Sequence, residues 1–294
     1  MRALLFNLFP YLKSDLYKKQ TLTNESNNLE TEKTKMLNST SGDQYSLAKI
    51  LGIWAVVALP MLLITYVITP FLIPRVNLLP GFLFWFLTIL GMGWQFIVSM
   101  WIVYREEGDI RWTTIQRRFW YNTPLDPKTG EPNARLLWWS IPLILLSVGC
   151  GNLVLQGPLI AVILRVLPFL QAPSFTDTSV LASPEFVGQW WLLAVVLINN
   201  AFNYFLGEEF LFRGVLLPKM EGVFGKWDWL MNAVLFGFYH LHIPFAIIPN
   251  ILITAPYIWA SKRFRCNWFS VIVHGVGGVL GFIMVLAVVT GLAF

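Results

Sequence analysis

Residues 50–74 read ILGIWAVVALPMLLITYVITPFLIP, a run of 25 residues without a charged side chain. A helix that crosses the hydrocarbon core of a bilayer needs about 20 predominantly apolar residues. A membrane-spanning strand would instead alternate apolar and polar residues over about ten positions. Because this run is apolar throughout, it predicts a transmembrane helix.

Further apolar runs repeat this pattern up to the last residues of the sequence. Together they predict spanning helices at about 50–74, 80–104, 137–170, 187–215, 228–245, 246–261 and 268–293. The third run is long enough to be tilted, kinked near Gly151 and Gly157-Pro158, or split into two helices. The runs predict an all-α fold, a polytopic membrane helical bundle of about seven to eight transmembrane helices.

The composition of the whole chain agrees with a membrane location. Of the 294 residues, 56% are hydrophobic and 13% are charged, whereas a soluble domain has about a quarter charged residues. The formal net charge is +5, but the basic residues lie between the apolar runs, where they signal membrane orientation. We therefore expect the lipid bilayer, and no nucleic acid, as a partner.

The connections between successive runs alternate between the two sides of the membrane, and lysine and arginine are distributed unevenly between these sides. They concentrate before the first run, between the second and third, between the fourth and fifth, and between the sixth and seventh. The opposite connections contain only Arg75 and Arg165. Because basic loops face the cytoplasm, this asymmetry predicts a multi-pass protein with a cytoplasmic N-terminus, and it favours a single third helix.

The N-terminal segment differs from the rest of the chain. Residues 1–46 are mostly polar and lack the apolar content to fold alone, so we predict a disordered cytoplasmic tail there. Residues 47–294 are predicted to form one transmembrane domain. Cys150 and Cys266 have no metal-binding or redox spacing and are interpreted as apolar packing residues.

Ionisable residues inside the apolar runs concentrate in the C-terminal third. Glu208 and Glu209 lie deep in an apolar run, in the segment YFLGEEFLFRG at residues 204–214. All three histidines of the chain, His240, His242 and His274, fall within the last three predicted spans. Because an ionisable group in hydrocarbon is costly and usually functional, this cluster marks a candidate active site.

Helical geometry predicts different roles for the two glutamates. Glu209 and Arg213 are four residues apart, with the acid first, which favours an ion pair on one helix face. Glu208 then points about 100° away from Glu209 around the helix, free to meet another helix or a water as a general base. The alternative is that Glu208, Glu209 and Arg213 form only a packing triad between helices.

The histidines differ in their expected orientation. Phe236 and His240 are four residues apart and predicted to share one helix face. His242 lies roughly 200° around from His240, so we interpret it as an interfacial residue near a helix end at Pro244. His274 alone would more often be an interhelical hydrogen-bond donor, but together with His240 and Glu208 it favours a functional interpretation.

This set of motifs resembles the CPBP family, which comprises CAAX prenyl-protein endopeptidases and bacteriocin-processing (Abi) proteins. The resemblance covers about the last 100 residues. It rests on three elements in order: Glu-Glu-x-x-x-Arg (Glu208, Glu209, Arg213), Phe-x-x-x-His (Phe236, His240), and a histidine early in a late span (His274).

The resemblance implies an intramembrane endopeptidase with a catalytic core at about 187–294. It assigns water activation to Glu208, shaping of the site to Glu209 and Arg213, orientation of the water or polarisation of the scissile carbonyl to His240, and oxyanion stabilisation to His274. From the clustered Glu208, Glu209, Arg213, His240 and His274 we predict a metal-independent peptidase of the glutamate type, without a cofactor. Its partner would be a peptide or membrane-protein substrate that enters from the cytoplasmic side.

One position departs from the family pattern. The last motif usually reads His-x-x-x-Asn or Asp, and the fourth residue after His274 is Gly278. Glycine offers no side-chain donor, and the loss of one such donor typically costs about a hundredfold in rate. Asn250, Asn203 or a backbone N–H could replace it.

Several other functions stay open at the sequence level. A His-Glu-x-x-His zinc motif is absent, although Glu208, His240, His242 and His274 together would suit zinc. A serine protease would need a nucleophile beside a glycine-rich element, and no such element accompanies Ser99, Ser140 or Ser147. An aspartyl protease would need two aspartates in the apolar runs, and the sequence has no such pair. Two non-peptidase alternatives remain: a membrane immunity or scaffold protein on the same fold, and a transporter that uses Glu208 as a proton relay.

Overall fold

A computed structural model of the protein describes residues 44–177 and 182–294. Residues 1–43, which hold nearly all of the predicted cytoplasmic tail, lie outside the described residues. The compact unit Tyr45–Phe294 contains the features discussed below. Its described residues form helices and irregular connections with one isolated bridge, between Leu125 and Pro132. The predicted all-α class is confirmed.

Nine α-helices of five or more residues build the described part of the unit. In chain order they are α1 Leu47–Leu63, α2 Pro80–Glu107, α3 Trp112–Arg118, α4 Ser140–Ile144, α5 Gln156–Val166, α6 Trp191–Ala201, α7 Asp228–Tyr239, α8 Ile247–Phe264 and α9 Trp268–Thr290. Four π-helical segments interrupt or extend them: Ile64–Ile68, Leu145–Leu155, Phe202–Leu206 and Glu209–Leu216. Single α-turns and short 3-10 turns make up other connections.

Within the described residues, five helical stretches are long and apolar enough to cross a bilayer. They are Leu47–Arg75, Pro80–Glu107, Ala134–Gly151, Pro244–Phe264 and Trp268–Thr290. They correspond to the first, second, third, sixth and seventh predicted runs. This number and their composition support a multi-pass membrane protein.

The predicted spans at 187–215 and 228–245 are shorter helices than expected. The first is interrupted at Gly207, between the two π-helices Phe202–Leu206 and Glu209–Leu216. The second ends as an α-helix at Tyr239, after 12 residues. Phe210, Leu211 and Phe212 are almost entirely buried by protein, so this segment is surrounded by other helices rather than by lipid, and the length rule for a lipid-exposed span does not apply to it.

Gly207 is required by close packing. A Cβ atom at this position would lie 2.5 Å from the carbonyl oxygen of Phe202 and 3.0 Å from that of Met92 in α2. Its own N–H donates to Phe202 O at 2.7 Å. The chain therefore turns directly against α2 just before the two glutamates.

The third predicted run forms one continuous helical stretch. No turn separates α4 from α5, because the π-helix Leu145–Leu155 joins them. The alternative of two separate helices in this run is therefore not observed. The predicted irregularity near Gly151 takes the form of this π-helix.

Candidate active site

Glu209 and Arg213 form the predicted ion pair. Arg213 Nε lies 3.3 Å from Glu209 Oε2, and both side chains are completely buried. The segment that carries them is a π-helix, not the expected α-helix. The Arg213 guanidinium also lies 4.2 Å from the ring centroid of Phe236, a cation–π contact that partly replaces its lost hydration.

His274 contacts both glutamates. Its Nδ1 lies 2.9 Å from Glu209 Oε1, and its Nε2 lies 3.9 Å from Glu208 Oε2. An ionised carboxylate only accepts hydrogen bonds, so Nδ1 of His274 is the donor to Glu209. One histidine from α9 thus joins the two acids, a contact that the sequence did not predict.

Asn203 holds the carboxylate of Glu208. In the amide orientation that satisfies both groups, its nitrogen donates to Glu208 Oε1 at 3.0 Å and Oε2 at 3.1 Å. Glu208 is 4% exposed, so this hydrogen bonding offsets part of the cost of burying a carboxylate. Asn203 was one of the residues expected to replace the missing donor at position 278, but its amide is committed to Glu208.

His240 is connected to the cluster through Phe236. Its Nδ1 lies 2.9 Å from Phe236 O, and the two rings contact edge to face with centroids 4.9 Å apart. The Phe236 ring also meets the ring of His274, at 5.9 Å. The two side chains therefore share one face, as expected. The Phe236 ring lies in contact with both His240 and His274, and so links His240 to the histidine that contacts the glutamates.

His242 does not lie where the sequence predicted. It is 7% exposed, and its ring stacks on that of His240 with centroids 5.5 Å apart. The expectation that His242 points away from His240 was wrong, whereas its predicted position near a helix end agrees with the structure. The regular helix ends at Tyr239, and the 3-10 turn His240–His242 follows, so α-helical angles do not relate the two rings.

Side-chain donors from three distant elements fix the π-helix that carries Glu209 and Arg213. Asn232 of α7 donates to Phe212 O at 2.7 Å, and Asn267 before α9 donates to Arg213 O at 2.6 Å. Arg118 of α3 donates to the next two carbonyls, of residues 214 and 215, at 3.1 and 3.2 Å. Four consecutive carbonyls thus receive side-chain hydrogen bonds, which stabilises the irregular segment.

An aromatic ring fills the space beside Gly278. A Cβ atom at Gly278 would lie 2.5 and 2.6 Å from Cδ2 and Cε2 of Tyr204, and 3.2 Å from Cγ of Asn200. The Tyr204 ring also packs edge to face on His274, with centroids 4.7 Å apart. Asn200 donates to Gly278 O at 2.9 Å. The position after His274 where the family carries a polar side chain is therefore occupied by a tyrosine from another helix.

The acids and histidines do not form a metal-ligand set. Within residues 44–177 and 182–294, no three His, Cys, Asp or Glu side chains lie close enough together to hold a metal ion. Glu208, His240, His242 and His274, which the sequence offered as zinc ligands, are included in that range.

Sequence reasoning missed two groups of functional side chains. The first is Tyr204, whose signal was its position in the apolar run that leads to the glutamates. The second comprises the anchors of the π-helix: Asn232 and Asn267, inside or next to apolar segments, and Arg118, in the connection between the second and third runs. A polar residue in an apolar segment needs a partner, but the sequence does not say which one.

The fold and the site define a class: multi-pass α-helical membrane proteins with a buried Glu–Arg–His cluster. Within it, residues 188–280 match the family model described as type II CAAX prenyl endopeptidase Rce1-like. This segment includes Glu208, Glu209, Arg213, His240 and His274, so the predicted resemblance is confirmed over about a third of the chain. No curated protein and no solved structure matches the chain. The match supports an intramembrane protease of the CAAX type at the family level.

Proposed function

We propose that the protein is an intramembrane endopeptidase in which Glu208 activates the attacking water. The observation that carries the proposal is the position of Glu208: it is buried, held by Asn203 through both carboxylate oxygens, and 3.9 Å from Nε2 of His274. That distance exceeds a direct hydrogen bond. It leaves room for an oxygen atom of a water or a substrate in contact with both groups.

His274 is the group assigned to the oxyanion. Its Nδ1 lies 2.9 Å from Glu209 Oε1, which fixes the ring and leaves Nε2 on the side of Glu208, 3.9 Å from Oε2. With a proton on Nε2, the ring donates to the scissile carbonyl oxygen and stabilises the oxyanion.

The chemical step follows from these roles. Glu208 takes a proton from the water while the water oxygen bonds to the carbonyl carbon, and the carbonyl electrons move onto the oxyanion. Glu208 then returns the proton to the amide nitrogen as the C–N bond breaks. The Nδ1 of His240 donates to Phe236 O, so the neutral ring offers Nε2 as an acceptor that orients the water. Glu209 and Arg213 hold His274 and the π-helix in place.

The test is cleavage of membrane-partitioning fluorogenic peptides by purified protein. Wild type is compared with Glu208→Gln and with Glu131→Gln, which changes an exposed glutamate far from the cluster in sequence. We expect cleavage by wild type and Glu131→Gln, with and without chelator, and none by Glu208→Gln. Cleavage that a chelator abolishes would move the assignment to a metal-dependent peptidase.

A non-catalytic scaffold on the same fold is the second candidate function. The observation in its favour is Gly278, where a Tyr204 ring occupies the place of a family hydrogen-bonding side chain. Folded wild type that cleaves no peptide in the panel but binds one, with affinity unchanged in Glu208→Gln, would support this alternative.

A further inference from the structure

Two residues outside the cluster adopt a backbone conformation that is unfavourable for them. Trp120 has φ of 55° and Arg265 has φ of 45°, and they are the non-glycine residues with positive φ in the described parts of the chain. The left-handed region is uncommon for a side chain larger than asparagine, and strain of this kind clusters at functional sites.

The two strained residues contact each other. Arg265 Cζ lies 6.0 Å from the ring centroid of Trp120, and the N–H of Asn267 donates to Trp120 O at 2.9 Å. Arg265 directly follows α8, a position that usually carries glycine when the backbone is left-handed. The chain keeps an arginine there, and the Trp120 ring helps to fix the direction of its side chain.

Arg265 lines a cavity of about 540 Å³ at one end of the bundle. Three connections meet there: the loop after α3, the segment before α7, and the turn between α8 and α9. Hydrogen bonds join them, from Leu125 N to Phe264 O at 2.9 Å and from Lys262 to Glu221 at 2.8 Å. The cavity is therefore an open pocket whose walls are formed by segments that hold one another in place.

Three of the four basic residues in its wall are available for a ligand. Lys262 is already paired with Glu221 and with the buried Asp228. Lys226, Arg263 and Arg265 are exposed and have no carboxylate within ion-pair distance among the described residues, while the charge of Arg265 also acts on Glu221. The remaining acid of the wall, Asp126, accepts from backbone N–H groups of its own turn, at 2.8 Å from Lys128 N. The cavity therefore has an unbalanced positive charge.

The cavity lies at the end of a helix that is long and apolar enough to span the membrane, where lipid headgroups are expected. It surrounds the last turn of the spanning stretch Pro244–Phe264. Trp229 and Trp259 line its wall, and tryptophan is enriched where apolar helices emerge from a membrane. Basic pockets between transmembrane helices are suited to anionic lipid headgroups.

We propose that this cavity binds the phosphate headgroup of an anionic phospholipid, with Lys226, Arg263 and Arg265 as the cationic contacts. The lipid chains would extend from the cavity along the apolar surface of α8. This inference is independent of the peptidase chemistry, since it involves none of the residues of the glutamate cluster.

The first experiment measures thermal unfolding of the full protein in neutral detergent micelles. Phosphatidylglycerol, phosphatidylcholine and inorganic phosphate are added at matched phosphate concentrations. We expect an upward shift in Tm with phosphatidylglycerol that exceeds the shift with phosphatidylcholine, and no shift with inorganic phosphate. Equal shifts with both lipids would overturn the proposal, and a full shift with inorganic phosphate would show a free-anion site instead of a lipid site.

The second experiment repeats the titration with variants. Arg263→Gln and Lys226→Gln should each reduce the phosphatidylglycerol shift. Arg165→Gln is the matched control, because it removes an exposed arginine from the last turn of another apolar helix, α5; its shift should equal that of wild type. A loss as large in Arg165→Gln as in Arg263→Gln would mean a general charge effect and would overturn the site.

Arg265→Gly separates a binding role from a structural one. Glycine relieves the left-handed strain, so this variant should have a higher Tm than wild type in neutral detergent and a smaller shift with phosphatidylglycerol. The substitution would therefore raise the stability of the protein without lipid and lower the additional stability that the lipid confers. If Arg265→Gly keeps the full Tm shift with phosphatidylglycerol, Arg265 does not contact the lipid. If Arg263→Gln and Lys226→Gln keep the full shift as well, the proposal is overturned.

Discussion

At the scale of single residues, the contact between Gly278 and Tyr204 links packing to chemistry. The ring of Tyr204 lies where a Cβ at position 278 would be, and its edge supports His274. The space that a side chain at position 278 would need is therefore filled by the ring of Tyr204. The sequence showed the glycine but could not show the tyrosine beside it, because the two residues lie on different helices.

This contact predicts opposite effects for two glycines of α9. Gly281→Ala should stabilise the protein by about 0.5–1 kcal/mol, because alanine favours a helix and nothing lies within 4 Å of the new Cβ. Gly278→Ala should destabilise it by about 1–3 kcal/mol through overpacking. Thermal unfolding of both variants in detergent checks the signs.

A double variant tests the partner. In the Tyr204→Ala background, Gly278→Ala should cost much less than it does alone, since the ring it meets is gone. Additive effects of the two substitutions would contradict the contact.

The two glutamates should differ in their effect on stability. Glu209→Gln leaves Arg213 buried without its ion-pair partner and weakens the bond to His274, and loss of one member of a buried pair costs about 3–5 kcal/mol. Glu208→Gln keeps an amide that can still meet Asn203, so its cost should be smaller. Unfolding temperatures and yields of folded protein measure the difference, and equal values for the two variants would refute this division of roles.

At the scale of elements, the π-helix Glu209–Leu216 is the part of the fold that the sequence described least well. Its apolar residues and its Glu-x-x-x-Arg spacing are equally consistent with an α-helix, and the ion pair forms in either case. The carbonyls of this π-helix are bound by three neighbours, Asn232, Asn267 and Arg118, which stabilise the irregular form. These partners come from distant parts of the chain, so local propensity could not reveal them.

Loss of an anchor should destabilise the π-helix. Asn232→Ala and Asn267→Ala each leave a buried carbonyl without this donor, which typically costs about 1–3 kcal/mol. Asn122→Ala is the matched control, because among the residues that the structure describes the Asn122 amide donates to the neighbouring Thr123 O alone. The measurement is the unfolding midpoint. A loss for the control as large as for Asn267→Ala would argue against a specific anchoring role.

At the scale of the whole molecule, hydropathy predicted the class of fold and most of the long helices. Hydropathy overestimated the helix lengths at residues 187–215 and 228–245, because an apolar run has the same sequence pattern whether lipid or protein surrounds it. The residues of the site were found from the cost of placing charge in hydrocarbon. Their arrangement, with His274 joining Glu208 and Glu209 and the rings of His240 and Phe236 in contact, depends on how α7 and α9 dock, which no local pattern encodes.

The predicted orientation can be tested with cysteine substitutions in a Cys150→Ser, Cys266→Ser background. A membrane-impermeant maleimide added from outside should label Arg165→Cys in intact cells, whereas Arg263→Cys should react only after permeabilisation. Both positions are exposed and lie on opposite sides in the orientation that the basic loops predict. The reverse pattern would place the N-terminus outside.

The anchoring of the π-helix has a consequence for the order of synthesis. The carbonyl of Arg213 is held by Asn267, and the two glutamates are joined by His274; both partners come with α9, the last of the described helices. During translation the segment that carries the acids enters the membrane well before these partners exist. The cluster therefore stays incomplete until α9 has been inserted, which delays any hydrolytic activity until the rest of the bundle has been made.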